Sequence, residues 1–161
     1  MSGPKRIPGQ FVKAWDTDVP VTRSKAALED MLRRYGATGF TVAEDYASRT
    51  VVVAFFLRPR PAEDPIEIRF PIGYDATLAK LRKMDAFTRR ADANAQAERV
   101  AWRHLVLWVD AALSAVDSGL YSLQEAFFAH AMIDTPGGRR IRAADAVGNV
   151  KRLLSGGTHG S

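Results

Sequence analysis

Basic side chains are concentrated in one stretch of this sequence, residues 73–90. The stretch contains only two carboxylates, Asp75 and Asp85, but five cations: Lys80, Arg82, Lys83, Arg89 and Arg90. Lysine binds phosphate as a point charge, and arginine does so through a planar fork of donors. A short helix over 77–87 is predicted from apolar anchors at a spacing near three, namely Leu78, Leu81, Met84 and Phe87, and it would turn the cations outward. We interpret the stretch as a candidate phosphate-binding surface, with a solvated connector as the alternative.

Four further arginines extend this candidate surface. Arg99 and Arg103 follow in the first turns of the next predicted helix, and Arg58 and Arg60 belong to a proline-rich loop at 59–65. Phosphate contacts hold a nucleic acid without reading its base sequence. The predicted nucleic-acid-binding residues are therefore Lys80, Arg82, Lys83, Arg89, Arg90, Arg99, Arg103, Arg58 and Arg60.

The sequence lacks several common catalytic and nucleotide-binding motifs. The sequence has no Gly-x-x-x-x-Gly-Lys-Ser/Thr loop, no Gly-x-Gly-x-x-Gly, no His-Glu-x-x-His and no Gly-x-Ser-x-Gly. His130 and Asp134 have the spacing of two metal ligands on a helix, but two ligands do not make a site. We predict no catalytic residue, no metal ligand and no cofactor, and we favour a protein without enzymatic activity. A third reading, a divergent metal-dependent nuclease, depends on carboxylates near the predicted strand ends, which polar turns also explain: Glu44, Asp45, Glu63, Asp64 and Glu67.

Composition is compatible with an anionic partner. The 161 residues include 23 Lys and Arg against 18 Asp and Glu, for a formal net charge of +5. The chain has no cysteine, which excludes disulfides and thiolate metal sites. Its first residues lack the apolar segment of a secretory signal, and no apolar run reaches the length of a membrane span. We therefore expect a soluble cytoplasmic protein with no membrane association.

The element that must position most of these residues is a long helix predicted over 91–118, the longest stretch free of glycine and proline. Gly119 follows it, and Leu107 and Trp108 contribute to a second apolar surface, so the helix is expected to be buried on more than one side. One apolar stripe runs along its length at helical spacing: Trp102, Leu105, Val106, Val109, Leu113 and Val116. On this stripe Trp102 is expected to be buried.

A helix and three strands are predicted before the long helix. The helix covers 24–35 and ends at Gly36, in the left-handed conformation. Alternating apolar residues predict strands over 38–46, 50–58 and 66–72. The second strand is apolar on both faces and belongs in the middle of its sheet, whereas Pro71 makes the third an edge strand, with Glu67 and Arg69 on a wet face.

Additional helices are predicted after the long one. The capping box Ser122-Leu123-Gln124-Glu125 starts a helix that ends near Met132. A small hairpin turns at 135–138, and a last helix covers 143–154. The predicted class is α+β, with a three-stranded antiparallel sheet in the order α-β-β-β-α, a long central helix and one or two further C-terminal helices. Residues 1–20 form a basic flexible arm, 21–154 a single domain and 155–161 a disordered tail.

Three segments carry a resemblance to a known family. The runs Val-Pro-Val-Thr-Arg-Ser at 19–24, Arg-Tyr-Gly-Ala-Thr-Gly-Phe at 34–40, and 97–112 with Trp102-Arg103 resemble a family of uncharacterised small proteins of actinobacterial phages and prophages. The resemblance covers roughly 19–141. That family has no assigned activity, so the resemblance implies a setting, the cytoplasm of a bacterial or phage-infected cell, and no functional residue.

The predicted element order is also similar to that of the double-stranded RNA-binding domain. In that domain the first helix, a strand loop and the start of the last helix contact RNA. Here the corresponding basic residues are Lys25, Arg33 or Arg34, then Arg58 and Arg60, then Arg89, Arg90, Arg99 or Arg103. The stretch at 73–90 and the C-terminal helices have no counterpart in that module.

Two functions follow from these observations. The first is a non-enzymatic accessory protein of phage or prophage origin that binds DNA or RNA through phosphates, in replication or recombination. The alternative is a protein-interaction or assembly module, for example a phage factor that binds a host protein, with Leu107 and Trp108 at the interface. The sequence leaves open whether the chain is a monomer or a homodimer.

Overall fold

The computed structural model describes residues 12–84, 87 and 91–148. The predicted tail at 155–161 and most of the predicted arm lie outside these residues. The α+β class and the order of a helix, three strands and a long helix are confirmed, with a short helix inserted before the long one. The elements are α1 (Val21–Arg34), β1 (Gly39–Asp45), β2 (Thr50–Leu57), β3 (Ile66–Gly73), α2 (Tyr74–Leu81), α3 (Ala93–Asp117), α4 (Leu123–Phe127), a 3-10 turn (Phe128–His130), β4 (Met132–Asp134) and β5 (Arg140–Arg142). Residues 143–148 are helical as well.

The first three strands form an antiparallel sheet in the order β1-β2-β3. The middle position of β2 and the edge position of β3 confirm both predictions. Alternate residues of β2 are buried on one face, namely Val51, Val53, Phe55 and Leu57, while Val52 on the other face is 36% exposed. β-Branched and aromatic residues such as these are common in strands, and β2 has a hydrogen-bonded neighbour on each side.

The chain divides into two compact units, each assembled from separate segments. The first unit contains the residues up to Met31 together with Ala43–Val51 and Pro71–Ala111. The second unit contains Leu32–Val42, Val52–Phe70 and the residues from Ala112 onward. The domain boundaries expected from the sequence stay predictions.

In the first unit, Trp102 of α3 is fully buried, as predicted. Its indole nitrogen Nε1 donates a hydrogen bond of 2.8 Å to the hydroxyl of Tyr74, at the start of α2. The ammonium of Lys25, on α1, lies 5.1 Å from the centre of the indole ring, within the range of a cation–π contact. One aromatic side chain thus contacts residues of two other helices.

The ends of the helices follow local chemistry. Helix α1 begins at Val21, three residues before the predicted start, because the carbonyl of Pro20 accepts hydrogen bonds from the amides of Arg23 and Ser24, both at 3.1 Å. Its end is as predicted, since Gly36 has φ +77°. Gly119, which follows α3, has φ +73°. Glycine adopts this left-handed conformation without the steric cost that a side chain would add.

In the second unit, aromatic rings pack around Phe55. The rings of Phe55 and Phe70 stack at 5.8 Å, and Phe127 meets Phe55 edge to face at 5.9 Å. The imidazole of His130 lies parallel to the Phe70 ring at 4.0 Å. Aromatic pairs at these distances add to the stabilisation that burial of their surface already provides.

Helix α4 has the predicted capping box: the Ser122 hydroxyl accepts from the Glu125 amide, and the Glu125 carboxylate accepts from the Ser122 amide. The predicted end near Met132 is wrong, because α4 stops at Phe127 and the chain continues through a 3-10 turn. Ala131 then forms an antiparallel bridge with Ile68 of β3. Pairing with a strand edge requires extended backbone, and this ends the helix early.

The small hairpin predicted after α4 is confirmed; its flanks were expected at 132–134 and 139–141, and its second strand lies one residue later. Strands β4 and β5 are antiparallel, and Met132 pairs with Arg142, Ile133 with Ile141 and Asp134 with Arg140. Gly138 in the turn has φ +72°, which glycine adopts readily.

The side chain of Glu67 contradicts the prediction of a wet face on β3. Only 6% of it is exposed, whereas Arg69 on the same face is exposed as predicted. The Glu67 carboxylate is bound by Arg69 Nε and, at 3.0 Å, by Arg140 Nη1 of β5. Alternation along one strand cannot reveal that a hairpin about 70 residues later covers the carboxylate.

We predict that Trp102→Ala lowers the free energy of unfolding by about 3–5 kcal/mol, because a large buried side chain leaves a cavity and Tyr74 loses its hydrogen-bond donor. Trp108→Ala is the matched control, since Trp108 lies on the same helix but is 41% exposed. Urea denaturation of both variants checks the prediction. Equal losses in the two variants would contradict it.

A second prediction concerns pH and His130. Burial, and then the charge of Arg142, lower the pKa of this imidazole below its ordinary value of 6.5. The unfolded chain therefore binds more protons than the native protein as the pH falls below that value, and stability decreases on acidification through this window. His130→Gln should flatten the decrease between about pH 7 and 5. Thermal unfolding across this range is the measurement, and an unchanged slope in the variant counts against the assignment.

Candidate nucleic-acid interface

The basic stretch is built on α2 and the turns that follow it. Helix α2 begins at Tyr74 and ends at Leu81, so the predicted helix over 77–87 is displaced. After it the chain continues in three-residue turns, with the Met84 amide bonded to the Leu81 carbonyl at 2.9 Å and the Phe87 amide to the Met84 carbonyl at 3.0 Å. With three residues per turn, side chains spaced by three lie on the same side of the chain. This explains why Leu78, Leu81, Met84 and Phe87 all point to one cluster.

Those anchors lie in one apolar cluster of the first unit. Leu78, Leu81 and Phe87 are buried there with Ala97 and Val100 of α3, and Met84 packs against the cluster. Because these side chains point inward, the described residues between Leu78 and Met84 that carry charge lie on the outside.

Three of the predicted cations, Lys80, Arg82 and Lys83, occupy these outer positions and are exposed. We call these three residues the basic segment. Among the described residues, no hydrogen bond or ion pair engages their side chains. The carbonyl of Lys80 accepts a hydrogen bond of 3.2 Å from the amide of Lys83, so the backbone of the segment is fixed while its charges face solvent.

The two predicted arginines of α3 differ in their surroundings. Arg99 donates through Nε to the side-chain oxygen of Gln96 at 2.9 Å and forms an ion pair with Asp92, and its side chain is 23% exposed. Arg103, one turn later, is half-buried and has no carboxylate partner within the described part of the chain. Arg99 is thus held by neighbours, whereas Arg103 keeps its charge available.

The remaining predicted residues fall elsewhere. Arg58 and Arg60 belong to the second unit, where Arg58 binds the carbonyl of Glu63 and Arg60 binds the carboxylate of the same residue, both at 2.9 Å. Arg89 and Arg90 lie outside the described residues. Of the predicted residues that the structure describes, the basic segment and Arg103 are therefore the ones in the first unit without a carboxylate partner.

No family model, curated protein or solved structure matches this chain. In the described ranges, no group of three or more histidine, cysteine or acidic residues is arranged to hold a metal ion. The helices of those ranges include none that is long and apolar enough to cross a membrane.

The sequence did not predict which residue holds the N-terminal segment, residues 12–18. Gln96 of α3 is fully buried, and its amide nitrogen donates to the carbonyls of Trp15 at 2.7 Å and Thr17 at 2.9 Å. Its oxygen accepts both hydrogen bonds from Arg99. All four hydrogen-bonding positions of this amide are therefore filled. The segment adds Val12 and Trp15 to the apolar cluster beneath the basic segment.

Sequence reasoning also missed a group of charge pairs in the first unit. Lys25 binds Glu44, and this hydrogen bond lowers the pKa of the Glu44 carboxyl. Arg49 binds Asp75 at 2.9 Å and approaches Glu98 to 3.7 Å. The partners are separated by 19 residues or more along the chain, and no local spacing signals such a pair.

We predict that Gln96→Leu frees the N-terminal segment. Leucine keeps much of the volume but leaves two carbonyls and Arg99 without their partners, which lowers the free energy of unfolding on the order of 2 kcal/mol. Amide exchange of peptides spanning residues 12–18 should accelerate. Gln124→Leu, at an exposed position of α4, is the control. Unchanged exchange in the Gln96 variant would show that apolar packing alone holds the segment.

Proposed function

We propose that this protein is a non-enzymatic accessory protein that binds nucleic acid through its phosphate backbone. The observation that supports the proposal most directly is the basic segment, whose three cations are exposed and unpaired within the described residues. Its buried anchors hold the backbone, so the charges stand on a fixed support. Such a surface attracts any phosphate chain and discriminates little between sequences.

Several other arginines are paired with carboxylates, which favours this surface over theirs. Arg142, for example, forms two hydrogen bonds with Asp145 at 3.0 and 2.9 Å, and Arg140 is shared by Glu67 and Asp134. A phosphate must compete with those carboxylates for a paired guanidinium. An unpaired cation releases condensed counterions from the nucleic acid without that competition.

The same proposal includes a setting. The resemblance of 19–24, 34–40 and 97–112 to proteins of actinobacterial phages and prophages supports an origin in such a genome, and a role in DNA replication or recombination is compatible with phosphate binding. Similarity to the double-stranded RNA-binding domain contributes less, because Lys25 on α1 is paired with Glu44.

The proposal predicts a steep dependence on salt. Four described cations, with Arg89 and Arg90 in addition, give four to six phosphate contacts, and the slope of log affinity against log salt should be about −3 to −5. The double variant Arg82→Glu/Lys83→Glu should weaken binding to every sequence at least tenfold and reduce the size of the slope by about two. Fluorescence anisotropy with single-stranded DNA, duplex DNA and duplex RNA provides the measurement.

A matched control separates a local surface from net charge. Arg23→Glu/Arg139→Glu changes the net charge by the same amount at two exposed positions outside the predicted set. Equal losses in the two double variants would exclude a localised interface. Failure of the unmodified protein to bind all three nucleic acids below tens of micromolar at about 150 mM salt would exclude the function itself.

The second candidate function, protein interaction, is favoured by exposed apolar side chains in the second unit. Leu120 is 68% exposed and Tyr121 52% exposed before α4, and Phe128 is 58% exposed after it. Several large apolar residues exposed within nine positions of the chain are compatible with a contact surface. On the long helix, Trp108 is 41% exposed and Leu107 is half-buried, so the surface expected there is smaller than the sequence indicated.

A further inference from the structure

A small pocket in the first unit lies apart from the functions proposed above. Its volume is about 190 Å³. Helix α1, the β1–β2 turn, the start of α2 and helix α3 all contribute to its lining, which includes Lys25, Glu44, Arg49, Tyr74 and Glu98. This volume lies below the roughly 300–1,000 Å³ of ordinary ligand pockets, so the pocket has room only for a very small molecule or for one ring of a larger one. A few polar groups among its walls would fix the orientation of that molecule.

The charged groups of the lining are three carboxylates and two cations, and each already has a partner. Lys25 is paired with Glu44, and the Asp45 carboxylate accepts hydrogen bonds from the amides of Ala47 and Ser48. Arg49 binds Asp75 at 2.9 Å and lies 3.7 Å from Glu98. An added anion would meet the carboxylates, and an added cation would meet the lysine and the arginine. The pocket therefore favours a neutral ligand, in contrast to the basic segment.

Two hydrogen-bond donors at the pocket lack acceptors. The Nη2 atom of Arg49 is buried and has no hydrogen-bond partner, since the Glu98 carboxylate is too distant. The Tyr74 hydroxyl accepts from Trp102, and its own proton has no acceptor among the described residues. Burial raises the pKa of this phenol, which therefore keeps its proton at neutral pH. A buried donor without an acceptor is costly, and an oxygen atom from a ligand would remove that cost.

Glu98 adds the complementary requirement. Its carboxylate, half-buried at the pocket, accepts hydrogen bonds but cannot donate them. A ligand that serves the two donors and this acceptor together must both accept and donate over a short distance. Hydroxyl groups do both, and two on adjacent carbons present this combination in the smallest space.

The rim and the backbone support a ligand site. Tyr46 lines the pocket and is 84% exposed, so its ring offers an apolar face to a sugar ring or a base. Arg49 has φ +52°, a left-handed conformation that is unusual for a residue with a side chain. Residues in such conformations are concentrated at ligand sites.

We infer that this pocket binds a small neutral molecule with adjacent hydroxyl groups, either a free sugar or the ribose of a nucleoside. Both sources present the same pair of hydroxyls to Arg49, Tyr74 and Glu98. The site is independent of phosphate binding at the basic segment, and either can exist without the other.

The indole N–H of Trp102 reports on occupancy, because its acceptor is the Tyr74 hydroxyl that the ligand would contact. Two-dimensional NMR of the nitrogen-labelled full chain, titrated with ribose, methyl glucoside, adenosine and 2′-deoxyadenosine, should show a saturable shift of this resonance. A larger response to adenosine than to ribose, reduced for 2′-deoxyadenosine, identifies a nucleoside. Responses to ribose or methyl glucoside that match or exceed that to adenosine identify a free sugar.

Variants decide whether the shift arises in the pocket. Glu98→Gln and Tyr74→Phe should each weaken binding at least tenfold, whereas Asp64→Asn and Tyr121→Phe, at exposed positions of the second unit, should leave it unchanged. If Tyr74→Phe does not fold, because Trp102 loses its acceptor, Glu98→Gln alone decides the test. The inference is overturned if no hydroxyl compound shifts the resonance saturably, if inorganic phosphate shifts it in their place, or if Glu98→Gln binds as the unmodified protein does.

Discussion

The first unit depends on one constraint: the buried indole N–H of Trp102 needs an acceptor away from water. Tyr74 supplies it through a bond of 2.8 Å. This bond fixes the start of α2 against α3, and the Tyr74 amide in turn donates to the carbonyl of Arg49 at 3.2 Å. The turn after β1 is thereby tied to the same place. A single unsatisfied donor in the core would cost about as much as several surface contacts contribute, so this chain of partners is obligatory.

The position of α2, fixed at Tyr74, decides which side chains of the helix are buried and which cations face solvent. Leu78 and Leu81 of α2 are buried in the cluster around Phe87, and Met84 packs against that cluster. Lys80, Arg82 and Lys83 lie beside these buried side chains and are exposed. The N-terminal segment, held by Gln96, completes that packing with Val12 and Trp15.

Much of this architecture was predictable because its signals are local. Apolar residues on both faces predicted the central position of β2, and Pro71 predicted the edge position of β3. Glycine at 36 and 119 predicted two helix ends. Contacts between distant positions were not predictable. Gln96 bonds to residues 79 and 81 positions earlier, and Glu67 is buried by an arginine of β5. A polar side chain has the same sequence signature whether it ends in water or in a buried network, so periodicity placed Glu67 on the wrong surface.

The candidate interface shows the same division between local and distant information. Composition and clustering identified the stretch at 73–90, but they treated every arginine as equal. In the folded protein a phosphate must compete for a guanidinium that a carboxylate has already bound. Arg99 is held by Asp92 and Gln96, and Arg60 by Glu63, although both were predicted to bind. Since each paired cation brings its carboxylate with it, the pair contributes little net field to a passing nucleic acid. In the proposed function, the affinity of this surface for nucleic acid would therefore depend on its unpaired cations more than on the formal charge of +5.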